Sequence, residues 1–343
     1  IGEYSGLIAE HFLLADIKNR ACEYFVRAGQ YSLSVYANHE AENYYRKAHE
    51  LSANTSLHAD ILLGLGEALG LQGNSEEAIE VIHQAIELYQ ELDNSNMLAC
   101  AYAKLSWVLI NLFDYLGAWN ICKEGLDLLE GSSDSLGYAQ LFAEAGRIAN
   151  IRRETDQIEP LCKRALEMAD RLGDLEVSLG VKTILAMQEK DATKAIAILE
   201  DVVSISEEEG LLRFTARAEH NLSYLLNCHL IDVNSAIWHG ENAAKIFRLI
   251  GNIKAMEASL ENVAAYRMVS GEMNAVEDII TEFLQSANVP ESHIKNFLND
   301  NLPGIKFRRG EWIPAMKEYQ LLLDKYRKKG ILPWITNCIY HLA

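Results

Sequence analysis

Small residues recur along this chain at a spacing that a single globular core does not produce. Gly66, Ser106, Gly146, Thr183, Ser223, Ala264, Pro303 and Ala343 follow one another at intervals of 40, 40, 37, 40, 41, 39 and 40. A second series, Ala41, Ala78, Ala118, Ala195, Ala236 and Ala315, runs in step with it, with Ile158 and Val276 in two copies. A third falls seven residues later at Ala48, Ala85, Gly125, Ala165 and Ala243, replaced elsewhere by Val202, Phe283 and Leu322. Repetition at this length predicts stacked supersecondary units, each touching only its neighbours.

The clearest copy, LGLGEALGLQGNSEEAIEVIHQAIEL from Leu63 to Leu88, reads as two amphipathic helices joined at Gly73-Asn74. A small side chain lets two helix axes approach to the close end of about 8–10 Å. Leu65, Leu69, Ile79 and Ile82 then fill the remaining volume at helical spacing. The connections carry breakers and caps: Asp93-Asn94-Ser95, Gly131-Ser132-Ser133, Gly173-Asp174, Gly251-Asn252, Gly271-Glu272 and Gly310-Glu311. Only 5 prolines interrupt the 343 residues, which favours helix almost throughout. Two copies depart from the pattern. Residues 175–208 turn at Lys190-Asp191 without glycine, and Pro303-Gly304 falls where a helix interior is expected. Proline there removes a donor and clashes with the preceding turn, so a kink or interruption is expected near Asn301 to Gly304.

Leu65, Gly66, Leu69, Gly73, Ala78, Ile82 and Ala85 stand in the order and spacing of the tetratricopeptide repeat, which the chain resembles over nearly its whole length. The resemblance implies an all-α fold: a right-handed α-solenoid of about eight helix hairpins. First helices would line a concave face and second helices a convex one. Copies near 40 residues are longer than usual and are similar to those of the kinesin light chain group and of bacterial signalling regulators. Residues 1–54 are expected to be N-terminal helices leading into the array, and 55–343 the superhelix, truncated inside its last repeat. Within Leu7 to Leu51, Ala21, Phe25 and Ala28 recur as Ala41, Tyr45 and Ala48. That segment is similar to the one following the nucleotide-binding and winged-helix modules of large bacterial signal-transduction ATPases, including maltose-regulon-activator-like regulators and ATPases fused to class III cyclases. A start at Ile1 and an end partway through a repeat suggest a piece of a longer polypeptide.

The charge balance, 31 − 49 = −18, disfavours direct contact with nucleic acid or anionic lipid. No apolar run approaches the ~20 residues that span a membrane. The six cysteines form no CxxC pair and read as reduced thiols of a cytoplasmic protein. There is no phosphate-binding loop, nucleophile elbow or His-Glu-x-x-His, and the ten histidines lack ligand spacing. No catalytic role, cofactor or metal is expected.

Asparagine occupies one repeat position three times on successive first helices, as Asn221, Asn262 and Asn301, at intervals of 41 and 39. Its amide carries donors and an acceptor, so it can hold the N–H and C=O of an extended peptide. The resemblance to the kinesin light chain family implies such a use, since asparagines at this position hold cargo peptides there. The alternative is that each amide bonds a neighbouring helix. The same face is expected to present Trp107, Arg147, Asn150, Arg217, His220 and Tyr224. Arg147, Arg152 and Arg153 either receive an acidic or anionic ligand or pair with Glu144 and Glu154. The expected partner is a protein or peptide in the groove. The alternative is a small effector sensed on behalf of an attached ATPase, for which convergent polar groups in a closed pocket would speak.

Overall fold

The computed structural model of the chain describes residues 2–52, 55–230, 232–272, 274–276, 278–279, 302–329 and 332–342. Among these, helices alternate with short turns and no strand occurs. The contacts divide the chain into two units: Ile1–Ala218 with Ile246–Lys254, and Glu219–Lys245 with Ala255–Ala343.

The first unit opens with α1 (Ser5–Leu14), α2 (Lys18–Ser34) and α3 (Asn38–Leu51). It continues with α4 (Thr55–Leu71), α5 (Ser75–Glu91), α6 (Ser95–Asn111), α7 (Tyr115–Leu128), α8 (Leu136–Arg152) and α9 (Thr155–Leu172). Then follow α10 (Leu175–Ala186), α11 (Ala192–Glu208) and the beginning of α12 (Leu212–Leu225). Helices pair as α2–α3, α4–α5, α6–α7, α8–α9 and α10–α11, and each pair packs on the next.

The periodic small residues mark where the two helices of a pair meet. A Cβ on Gly66 would lie 2.4 Å from Cγ1 of Ile82, and one on Gly146 would lie 2.8 Å from Sγ of Cys162. In the copy between them the Cys122 thiol donates to the Ser106 hydroxyl at 3.1 Å. The N-terminal pair obeys the same rule: a Cβ on Gly29 would lie 2.8 Å from the Tyr45 ring, sixteen residues on. Ala21, Phe25, Ala28, Ala41, Tyr45 and Ala48 are all buried between α2 and its neighbours. One core runs from Ala9 to Ile184, so each pair buries its apolar stripe against the next.

Turns close the helices in the left-handed conformation. Gly73, Gly173, Gly251 and Gly310 adopt φ between 69° and 85°. Tyr36 and Phe113 do so without glycine, at φ 60° and 61°. In both, the next residue's N–H reaches back into the helix, Ala37 to the Ser32 carbonyl at 2.8 Å and Asp114 to the Leu109 carbonyl at 3.0 Å. Those bonds satisfy the last carbonyls and offset the steric cost. At Lys190-Asp191, Asp191 caps α11 by accepting from the Thr193 N–H at 3.0 Å.

The second unit holds the end of α12, a π-helical turn at Leu226–Leu230, most of α13 (Val233–Leu249) and α14 (Ile253–Val269). The Ser223 hydroxyl donates to the Ala236 carbonyl at 2.6 Å, the close approach that the small-residue position predicts. A helical stretch at 302–308 contains Pro303 and Gly304. The residues immediately before it, where the kink is expected to begin, lie outside the described residues. A last pair, α15 (Trp312–Lys329) and α16 (Leu332–Leu342), packs around Tyr319, Leu322, Leu323, Tyr326 and Cys338.

Candidate functional site

In the first unit, the first helices α4, α6, α8 and α12 carry charged side chains that lie close to one another. Lys104 on α6 is ion-paired with Glu67 on α4. Burial pushes the Glu67 carboxyl up, but the Lys104 ammonium beside it and the Arg213 charge bring it below its ordinary value. On α8, Arg147 Nε donates to Glu144 Oε2 at 2.7 Å. Both side chains are largely sequestered, at 14% and 21% exposed. Arg147 Nη2 lies 2.6 Å from the same oxygen. That contact is ionic and not directional, and the buried Nη2 has no hydrogen-bond acceptor. Arg213 on α12 donates to Glu176 at 2.9 Å.

Arg217, one turn after Arg213, differs from these. Among the described residues no carboxylate pairs with it. Burial, together with the like charges of Arg147 and Arg213, pushes its guanidinium down to about 9, with Glu144 opposing.

Trp107 and Asn150, both partly exposed, each touch a neighbouring hairpin. The Trp107 ring packs on α4, where a Cβ on Gly70 would lie 2.8 Å from it. Asn150 accepts from the Gln188 amide of the next hairpin. Arg152 pairs with Glu154 at 2.7 Å, so Arg147 and Arg152 both have carboxylates of their own chain beside them.

In the second unit, His220 Nδ1 and the Ser259 hydroxyl lie 2.9 Å apart and tie α12 to α14. Asn221 and Asn262 stand beside that link, both partly exposed. Neither amide has a hydrogen-bond partner among the described residues. Tyr224, a turn from His220, is 43% exposed. Asn301 lies outside the described residues.

The register explains both patches. Lys104 and Glu144 occupy the repeat position of Asn221 and Asn262, while Glu67 and Arg147 share the position of Trp107 and Tyr224. Reading the repeat register for charge as well as for amides is the signal that would have found Glu67 and Lys104. Arg213 and Glu176 follow only from the tertiary arrangement. Among the described residues no three His, Cys, Asp or Glu side chains converge as metal ligands. No described helix is long and apolar enough to cross a membrane.

The sequence matches no protein-family model and no curated protein. Its structure is similar to that of a Rap protein complexed with Competence and Sporulation Factor, with TM-score 0.60 over 94% of this chain and 96% of that one, at 12% identity. It is also similar to a signal transduction ATPase with numerous domains, carrying a tetratricopeptide repeat sensor, from Pyrococcus horikoshii. There the TM-score is 0.51 at 16% identity, over 95% of this chain but only 53% of that one, so the chain spans about half of that protein. With its hairpins, small-residue contacts and these neighbours, the chain is a tetratricopeptide-like α-helical repeat protein.

Proposed function

We propose that the chain is a non-enzymatic scaffold that takes a peptide or protein segment on the inner faces of its first helices, and that it serves as the partner-sensing region of a larger signalling protein. The observation that carries this reading is the pair Asn221 and Asn262. An amide on a helix is neutral to unfavourable unless it bonds something. Here two amides keep the same repeat position with no protein partner among the described residues. Neighbouring first helices lie about 10 Å apart, a distance that an extended strand covers in about three residues. Two such amides therefore match peptide units about three residues apart on a bound strand. The His220–Ser259 contact holds the two helices in register, which keeps the amides preorganised.

The fold likeness supports the sensing role. One similar structure is that of a Rap protein in complex with a factor, and another carries its repeats as a sensor. At net charge −18, a protein partner suits this chain better than nucleic acid.

Selection of a displayed peptide library on the wild-type chain provides the test. Asn221→Ala with Asn262→Ala should fold normally by circular dichroism and lose capture of the selected peptides by tenfold or more. Full capture by the folded double variant would contradict the assignment.

A further inference from the structure

We propose that the exposed face of α15 is a second docking surface, separate from Asn221 and Asn262, and that it takes an acidic amphipathic segment of a partner protein.

Residues 302–329 hold eight lysines and arginines against three carboxylates, a net charge of +5. The whole chain stands at −18, so the remainder carries −18 − 5 = −23. The local sign is opposite to that of the protein. Lys306 is ion-paired with Glu318 within this stretch. Lys317, Arg327 and Lys328 are exposed and have no carboxylate partner among the described residues.

Ile313, Lys317, Leu321, Asp324 and Lys328 follow one another at intervals of four, four, three and four, which puts them on one stripe of α15. Ile313 is 71% exposed and Leu321 69% exposed. Asp324 is the single carboxylate of the stripe, and Arg327 and Lys328 follow it within about one turn, so cations prevail there. Tyr319, Leu322, Leu323 and Tyr326 supply the buried side of the helix. The stripe therefore takes no part in holding the hairpin together.

The repeat register shows that this exposure belongs to the positions themselves. Ala78 and Ala315 align α5 with α15. Glu76, Glu80, Gln84, Gln90 and Glu91 stand in the places of Ile313, Lys317, Leu321, Arg327 and Lys328, and all are exposed. Since α5 packs on both α4 and α6, these places face solvent even inside the stack. There α5 presents carboxylates and amides, whereas α15 presents isoleucine, leucine and cations. Single exposed apolar residues are ordinary, but an apolar pair interleaved with cations on an uncovered stripe has the make-up of a contact surface.

Charge complementarity selects an acidic occupant, and the apolar pair narrows its kind. A phosphate backbone offers no apolar surface to Ile313 and Leu321. An anionic bilayer is extended and would also meet the −23 carried by the rest of the chain. A second copy can offer the acidic α5, but its matching places hold no apolar side chain. An acidic helix with apolar residues two turns apart meets both demands, because Ile313 and Leu321 lie eight residues, or about 12 Å, apart along α15.

The test uses the full chain. A separate displayed library of helical peptides, randomised along one face, is selected on the wild type and depleted on the Ile313→Ser, Leu321→Ser variant. The recovered peptides should be acidic and apolar at positions two turns apart. Lys317→Glu with Lys328→Glu should weaken them tenfold or more, and added salt should weaken their binding to the wild type. The substituted side chains are all exposed, so both variants should keep the wild-type circular dichroism. The Asn221→Ala, Asn262→Ala variant should bind these peptides as the wild type does, which separates this surface from the groove.

Recovery of no peptide, of peptides without acidic residues, or of peptides that bind the charge-reversed variant equally would overturn the proposal. Vesicles of equal parts phosphatidylcholine and phosphatidylserine that sediment the wild type but not the charge-reversed variant, with no acidic peptide recovered, would assign the face to a membrane instead. Self-association in sedimentation velocity that the charge reversal abolishes, again with no acidic peptide recovered, would assign it to a second copy.

Discussion

The Asn38 side-chain amide donates to the backbone carbonyl of Ile250 at 2.9 Å, joining residues 212 apart in the sequence. Asn38 opens α3 and is 5% exposed. Its partner lies in the turn after α13, where Gly251 adopts φ 73° and a Cβ would lie 2.6 Å from the Asn38 nitrogen. Nearby in the same unit the Lys254 ammonium sits 5.6 Å from the Phe113 ring centroid. Stacked repeats otherwise touch only their neighbours. This contact adds a long-range bond to the first unit that short-range packing does not supply.

Asn38→Ala should therefore cost about 1–3 kcal/mol, because it leaves the Ile250 carbonyl without its donor. Equilibrium urea unfolding measures the loss, and amide exchange in 246–254 should accelerate. Unchanged exchange there would show that the bond does not hold the turn.

Two glycine substitutions should act in opposite directions. Gly66→Ala drives a methyl to 2.4 Å from Ile82 and should destabilise by about 1–3 kcal/mol through overpacking. At Gly180, within α10, the nearest atom to a Cβ is Phe214 Cε1 at 3.5 Å, an ordinary contact. Gly180→Ala should therefore stabilise by about 0.5–1 kcal/mol, the usual gain on replacing a mid-helix glycine. Thermal unfolding of the two variants side by side reads the difference.

Arg217→Met should raise the stability of the ligand-free chain by about 1–2 kcal/mol at neutral pH, modest beside the several kcal/mol for full desolvation of an ion. The folded chain holds the Arg217 proton less tightly than the unfolded chain, with the pKa pushed down to about 9 by burial and by Arg147 and Arg213, against Glu144. A depressed base penalises the fold while it is charged, and the penalty fades as pH rises through 9. The advantage of Arg217→Met over wild type should thus be full at pH 7 and smaller at pH 10. A gap that widens with pH would have the wrong sign.

Thiol reactivity should separate the cysteines by burial. Burial pushes the Cys122 and Cys162 thiols up to about 12, and Cys22 upward as well. Cys228 is exposed within the π-helical turn. Brief alkylation at pH 8 followed by mass spectrometry should label Cys228 first and leave Cys122 and Cys162 intact, since the thiolate is the nucleophile.

The repeat was legible because helix contact imposes it: Gly66, Ser106 and Gly146 each stand where a partner side chain leaves no room for more. The same rule holds at Gly29, but its partner is Tyr45, a large residue in a slot filled elsewhere by Ile82 and Cys162, so residue type does not announce it. Turn glycines were readable, whereas Tyr36 and Phe113 reach the same conformation through backbone bonds that no residue type announces. On the first helices, sequence identifies position and not pairing. Trp107 and Arg147 share a register, yet one packs on Gly70 and the other binds Glu144. That Arg217 is left without a carboxylate emerges only when α4, α6, α8 and α12 are brought together, because no local pattern records which charges meet.

The central claim is that ligand is taken on the first helices. Hydrogen–deuterium exchange with a library-selected peptide at saturation measures it most directly. New protection should fall on the end of α12 and on α14, around Asn221 and Asn262, and spare α13. Protection confined to the second helices would contradict the account.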